Sequence, residues 1–203
     1  SDQSGKSNIL ARFREIGLDV DSNDPKIMRL VEIVKEREFD GYAYDGAEAS
    51  FELLARRALE EVPEYFNLTS FRVIDERRWN AKGDLINLSE ATVKAELNGK
   101  EYMTVAEGNG PVNALDAALR KILLPHYPEL QDVRLVDYKV RILNGGTGAV
   151  TRVLIESTDA SGDSWFTVGV SENIVDASFE ALTDSIVYKL LREGMTATTE
   201  ANA

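Results

Sequence analysis

One pattern constrains the fold more than any other. From about Asn67 onward the chain carries the same arrangement twice, about 60 residues apart. Phe71-Arg72-Val73-Ile74-Asp75 has its counterpart in Val133-Arg134-Leu135-Val136-Asp137. Ala91-Thr92-Val93 loosely matches Ala149-Val150-Thr151-Arg152-Val153, and Thr104-Val105 lines up with Thr167-Val168. The run Asn113 to Leu119 lines up with Asp176 to Leu182. Within the first copy, Val93, Ala95 and Leu97 alternate with Lys94, Glu96 and Asn98, the period of a strand with one buried face. Asn98-Gly99 is a hairpin signal, since a type I′ turn needs positive φ at both positions. Tyr102 to Glu107 reads as the return strand. Gly108-Asn109-Gly110-Pro111 then opens a helix with Val112, Leu115, Leu119 and Ile122 on one face. The second helix continues through Ile186, Val187 and Leu190. Each copy reads strand, strand, strand, helix, and two copies predict an α+β domain of βββα units related by pseudo-twofold symmetry, helices covering one face of antiparallel sheet.

Ahead of the repeat the period is helical. Ile9, Leu10, Phe13 and Ile16 follow Ser7 as N-cap, with Gly17 as the stop. Asp24-Pro25 supplies a capping acid and a first-turn proline before Ile27, Leu30, Val31 and Val34. A third helix from about Ala47 aligns Ala47, Phe51, Leu54 and Ala58. Such narrow stripes make a thin core alone, so this segment packs on something else. The expected division is a helical linker over 1–65, a paired-repeat domain over 66–194 (copies 66–130 and 131–194), and a disordered tail over 195–203.

Composition narrows the chemistry. Twenty-three Lys and Arg against 35 Asp and Glu leave a net charge of −12, with one His and no Cys, in 203 residues. Disulfides, thiolate nucleophiles and Cys-based metal sites are excluded. Without a basic block, nucleic acid and anionic membrane are unsuitable partners. No apolar run approaches the roughly 18 residues of a membrane span, and Ser1-Asp2-Gln3-Ser4-Gly5 is no signal peptide; a soluble, cytoplasmic protein is expected. His126, in Leu124-Pro125-His126-Tyr127-Pro128, is a lone loop histidine, and Glu32, Glu36 and Glu38 are spaced for a solvated helix face. No nucleophile elbow, phosphate loop or EF-hand spacing is present, so no catalytic residue and no metal ligand is expected in this chain.

Two glycine-rich stretches remain. At Gly108-Asn109-Gly110-Pro111 a strand hands over to a helix N-terminus, where free N–H groups and the positive end of the helix dipole can hold a carboxylate. The plain alternative is a turn that uses Gly for its geometry and Pro for its first helical position, and from the motif alone the turn is favoured. Gly145-Gly146-Thr147-Gly148 joins two strand-like runs and reads as a hairpin loop. Tyr138, among Leu135, Val140 and Ile142, is either core packing or the rim of an apolar pocket. Asn173 stands in the second copy where Gly110 stands in the first.

These stretches carry a resemblance. Gly108 to Ala114, Leu135-Val136-Asp137-Tyr138-Lys139-Val140 and Val168 to Ile174 resemble the regulatory domain of the 2-isopropylmalate synthase family. Asp184 to Leu191 and Gly41 to Leu54 look like its citramalate synthase branch. The resemblance covers nearly the whole chain. It implies a parent enzyme whose metal-dependent barrel, which binds a divalent metal and is absent here, condenses acetyl-CoA with a 2-oxo acid, pyruvate in the citramalate branch; the part seen here would have no cofactor of its own. It implies homodimerisation and feedback inhibition by an end-product amino acid held at the dimer interface. Isoleucine is favoured; leucine sensing and a ligand-free dimerisation module are the alternatives. By motif, the effector residues would be Gly108, Gly110, Val112 and Asn113, then Leu135, Tyr138 and Ile142, then Ala149 and Thr151. Ser4-Gly5-Lys6-Ser7-Asn8 resembles the start of the family's linker, with Gln3 where isopropylmalate synthases often have histidine. The linker helices would transmit the inhibition.

Overall fold

The computed structural model describes residues 2–143 and 149–198. The Gly145-Gly146-Thr147-Gly148 loop and positions 199–203 of the expected tail lie outside them. In order, the elements are α1 (Asp2–Glu15), α2 (Pro25–Phe39), α3 (Glu48–Ala58), β1 (Asn67–Trp79), β2 (Leu85–Leu97), β3 (Lys100–Gly108), α4 (Pro111–Leu123), β4 (Arg134–Ile142), β5 (Thr151–Thr158), β6 (Ser164–Ser171) and α5 (Ile174–Arg192). Short 3-10 turns cover Tyr44–Gly46 and Pro128–Asp132. The strands form two antiparallel three-stranded sheets, β1-β2-β3 and β4-β5-β6, and the α+β class is as expected. None of the described helices is long and apolar enough to cross a membrane.

Two compact units gather non-consecutive segments. The first comprises Ser1–Val62, Leu135–Ser157 and Ser164–Ser185, so the N-terminal helices belong with the second sheet and the first part of α5. Phe13, Leu30, Val31, Val34, Tyr44, Ala47 and Phe51 form one buried cluster with Val168 of β6, and Leu154 and Val170 pack against it. The Phe13 and Phe51 rings stack at 5.4 Å. The thin helical stripes thus find their missing apolar surface on a sheet far along the chain. Asp24 caps α2 as its type requires, its carboxylate accepting the Lys26 N–H at 2.9 Å ahead of Pro25. Ser7 does not cap α1. The helix already begins at Asp2, and the Ser7 hydroxyl donates back to Gln3 O at 3.0 Å. On α3 the buried face is Ala49, Ser50, Phe51, Leu53 and Ala55, while Ala58 is exposed; a small polar residue has taken a place that apolar counting gave to others.

The second unit comprises Pro63–Arg134, Thr158–Asp163 and Ile186–Ala203. β2 is its central strand, and Ala91, Val93, Ala95 and Leu97 are buried beneath α4, whose Ala114, Leu115, Ala118, Leu119 and Ile122 meet them. Asn98 (φ 49°) and Gly99 (φ 77°) make the expected I′ turn. β1 and β2 pair as far as Trp79↔Leu85, whereas β3 stops pairing at Gly108↔Ser89, so the β1–β2 hairpin runs past the start of α4 as a two-stranded arm. Nearer the chain end, Met195 O accepts from the Tyr65 hydroxyl and the Thr198 N–H donates to the Tyr127 hydroxyl, both at 3.0 Å.

The duplication shows inside each unit by the same bond. Thr104 Oγ1 donates to Ala118 O at 2.6 Å, and Thr167 Oγ1 donates to Ala181 O at 2.7 Å. A strand threonine pins its covering helix in both copies.

Candidate effector site

The start of α4 is built around two glycines with opposite jobs. A Cβ on Gly108 would lie 2.6 Å from Ala114 N and 2.9 Å from Asn113 C, so Gly108 lets the helix backbone close onto the strand end. A Cβ on Gly110 would meet nothing within 4 Å, and its backbone is extended. Gly110 therefore leaves open space beside the helix. Gly110 O accepts the Ala114 N–H at 3.0 Å, but no side chain caps this terminus among the described residues. The equivalent end of α5 is closed: Asn173 Oδ1 accepts the Val175 N–H at 2.8 Å and the Asp176 N–H at 3.4 Å. The asymmetry of Gly110 and Asn173 is thus an open against a capped helix start.

Strand register adds two residues that sequence reading missed. Gly108 pairs with Ser89, and Ser89 pairs with Asp75 on the outer strand. The buried Ser89 hydroxyl donates to the exposed Asp75 carboxylate. A carboxylate thus stands level with the turn that leads into the N-terminus of α4, two strands away. Their sequence signal was the alignment of Asp75 with Asp137, which only the register turns into a place. Val112 is half-buried and Asn113 exposed.

Of the other expected residues, Leu135, Tyr138, Ile142, Ala149 and Thr151 belong to the first unit, and Gly108, Gly110, Val112 and Asn113 to the second. Val136, Tyr138, Val140 and Ile142 are exposed along β4. Ser178 Oγ donates to Ile174 O at 2.6 Å, which uses its only proton. In its 2.8 Å contact with Ser178, Tyr138 is therefore the donor, leaving the phenol oxygen free to accept. Thr151 is buried, and Leu135 and Ala149 are half-buried. His126 is no free loop residue. Its Nδ1 meets Ile122 O at 3.2 Å, where the carbonyl accepts and Nδ1 donates, and its Nε2 meets the Tyr102 hydroxyl at 3.3 Å. Glu32, Glu36 and Glu38 form surface ion pairs with Lys35, Arg29 and Arg12.

An open depression of about 570 Å³ in the second unit is lined by Pro128, Glu129, Gln131, Asp132, Arg134, Lys189 and Glu193. Charge on nearly every wall makes it unsuited to an aliphatic ligand. Its floor is an ion network: buried Lys189 reaches Asp159 at 2.9 Å, Glu193 at 2.8 Å and Asp132 at 3.6 Å, and Arg192 also pairs with Asp159. Burial opposes ionisation of Asp159, but the Ser161 hydroxyl and N–H, Lys189 and Arg192 outweigh it and hold the carboxyl at about 2. A lowered folded-state value gives stability that is complete above the unfolded value of ~3.9 and lost as pH falls toward about 2. In urea titrations, the stability gap between wild type and Asp159→Asn should be full at pH 6 and shrink steadily between about pH 4 and pH 2; a constant gap would contradict this account.

The chain is a duplicated βββα arrangement, each three-stranded antiparallel sheet covered by a helix that a strand threonine holds in place. The profile of the LeuA allosteric (dimerisation) domain matches residues 45–190, and the chain belongs to that family. An (R)-citramalate synthase of Geobacter sulfurreducens is 55% identical over 192 residues, covering 94% of this chain and 36% of the relative. One from Aquifex aeolicus is 47% identical over 195 residues, covering 95% of this chain and 36% of the relative. A 2-isopropylmalate synthase of Dictyoglomus turgidum is 25% identical over 178 residues, 86% of this chain and 31% of that protein. The chain spans about a third of the length of these relatives.

Proposed function

We propose that this chain is the allosteric and dimerisation part of a citramalate synthase-like acyltransferase acting on acetyl-CoA and pyruvate, and that it binds L-isoleucine as feedback inhibitor. One observation carries the effector reading: α4 begins uncapped beside open space at Gly110, while α5 is capped by Asn173. An amino-acid carboxylate suits the free N–H groups and positive dipole of α4. The Asp75 carboxylate, level with the turn into α4, suits the ammonium. The higher identity to citramalate synthases than to the isopropylmalate synthase favours isoleucine over leucine. Pairing as a homodimer is supported by the apolar side chains left exposed on the sheet face away from α4. There Ile74, Met103 and Val105 are 52%, 61% and 44% exposed.

Calorimetry with isoleucine, leucine and valine tests the reading. Isoleucine should bind, and Gly110→Leu should weaken it at least tenfold, about 1.4 kcal/mol. The same variant should keep its melting behaviour within about 1 kcal/mol and its dimer mass, because the added side chain enters open space. Absence of binding by all three amino acids overturns the effector reading; preference for leucine assigns the parent to the isopropylmalate branch.

A further inference from the structure

Three Asn-Gly steps occur in the chain, at 98–99, 109–110 and 144–145. Such a step is where an asparagine amide is most easily lost, because glycine leaves the backbone nitrogen after the asparagine unhindered. The third lies outside the described residues. The first two are alike in sequence and unlike in place. The reaction needs that nitrogen to reach the side-chain amide carbon, so the peptide joining the two residues must turn over. The Asn98–Gly99 peptide is the middle of the I′ turn, with φ 49° and 77°, closed by the Leu97–Lys100 pair. Turning it over inside the hairpin makes a II′ turn, whose first central position joins positive φ to a strongly negative ψ and belongs to glycine. Asn98 is held away from the reacting geometry.

Nothing of this kind holds Asn109. Its side chain is exposed and its φ is not positive. The Gly110 N–H has no hydrogen-bond partner among the described residues, and a Cβ on Gly110 would meet nothing within 4 Å. Opposite changes of ψ at Asn109 and φ at Gly110 turn their shared peptide while Gly108 and Pro111 stay in place, a freedom of φ that glycine alone allows. The Gly110 O that accepts the Ala114 N–H lies in the next peptide, so α4 keeps this bond throughout.

We propose that Asn109 is a deamidation site whose product closes the open start of α4. Hydroxide takes the Gly110 N–H proton, and the nitrogen attacks Asn109 Cγ to close a succinimide ring. The Cγ–Nδ2 bond breaks, and the amide nitrogen takes a proton from water and leaves as ammonia, which regenerates the hydroxide. Water then opens the ring at either carbonyl, giving an aspartyl or an isoaspartyl residue without any oxidant or reductant. Either product sets a carboxylate one residue ahead of Gly110, the N-cap of a helix that no side chain caps among the described residues. That charge occupies the positive end of the helix dipole and repels a second carboxylate arriving there. The effect on amino-acid binding rests on the effector reading above; the chemistry at Asn109 does not.

Ageing the folded chain in neutral buffer, with peptide mapping by mass spectrometry, tests the site. Position 109 should convert roughly tenfold faster than position 98, the penalty of forcing asparagine into a glycine backbone. In urea the two positions should convert at one rate, since the fold no longer separates them. Equal rates in the folded chain, or faster loss at 98, overturn the proposal. Calorimetry with isoleucine tests the consequence. Asn109→Asp should bind roughly tenfold more weakly than wild type, by repulsion between like charges. It should melt no lower, because an acid at a helix start favours the helix. Aged wild type should lose affinity in step with conversion at 109. Aged Asn109→Gln, whose longer amide closes a less favourable ring, should keep the affinity it had when fresh. Conversion at 109 with undiminished isoleucine affinity overturns the closing of α4 and leaves the effector reading standing. Failure of the fresh chain to bind any branched-chain amino acid overturns the effector reading, while faster conversion at 109 still upholds the deamidation.

Discussion

Gly169→Ala should lower the melting temperature by roughly 6–12 °C, from an overpacking cost of about 3 kcal/mol. A Cβ at this point of β6 would lie 1.9 Å from Ala177 O, 2.9 Å from Ala177 C and 3.1 Å from Ala181 N. All three atoms belong to the backbone of α5, so no rotamer change relieves the contact. The helix must lift off the sheet, and the Thr167–Ala181 bond stretches with it. The first copy supplies the control. Ala106 holds the equivalent place, two residues after Thr104 as Gly169 follows Thr167. Ala106→Gly should therefore cost only about 1 kcal/mol, the usual penalty of glycine inside a strand or helix. Thermal unfolding of both variants checks the pair, and equal effects would refute the close approach.

Arg57→Ala should be nearly as damaging, for an electrostatic reason. The Asp184 side chain is 12% exposed, whereas that of Arg57 is 43% exposed. Removing the arginine leaves a buried carboxylate with only the Ser50 hydroxyl, a loss of about 3 kcal/mol or more. Asp184→Asn should cost less, because Arg57 then turns to water and the amide keeps a bond to Ser50. Burial already pushes the Asp184 carboxyl up, against the pull of Arg57 and Ser50. Without Arg57 it rises further. A raised carboxyl favours the folded state once protonated, so the deficit of Arg57→Ala should narrow as pH is lowered from 7 through the carboxyl's folded-state value. Urea unfolding of wild type and variant at pH 7 and pH 5 measures this; a deficit that does not change with pH would place the damage in packing.

The buried bonds of Ser50 with Asp184 and Val168 and the open helix start at Gly110 had unequal visibility in the amino-acid order. Gly108-Asn109-Gly110-Pro111 announced a strand-to-helix junction, and the I′ turn at Asn98-Gly99 was legible because both depend on backbone geometry a few residues long. The two glycines look alike in sequence and differ only when the helix is in place: one is pressed by Ala114 N, the other faces open space. Asp75 gained meaning from pairing across three strands. Ser7 looked like a cap because cap chemistry is local, but α1 gains from starting earlier than its hydroxyl suggested. Ser50 and Asp184 read as ordinary helix positions, since the partner of each lies more than 100 residues away.

The duplication and the alternation of strand and helix periods were therefore settled by the order of amino acids, because backbone preference and the side on which apolar groups recur act over one or two turns. Which surfaces those elements bury against was decided only in three dimensions. The N-terminal helices carry too little apolar area to cover one another, and the surface that completes their core, at Leu154, Val168 and Val170, lies about 100 residues downstream. Once they dock there, buried N–H groups and carboxylates must find partners across the contact, and that requirement places Ser50, Arg57, Glu180 and Asp184 together.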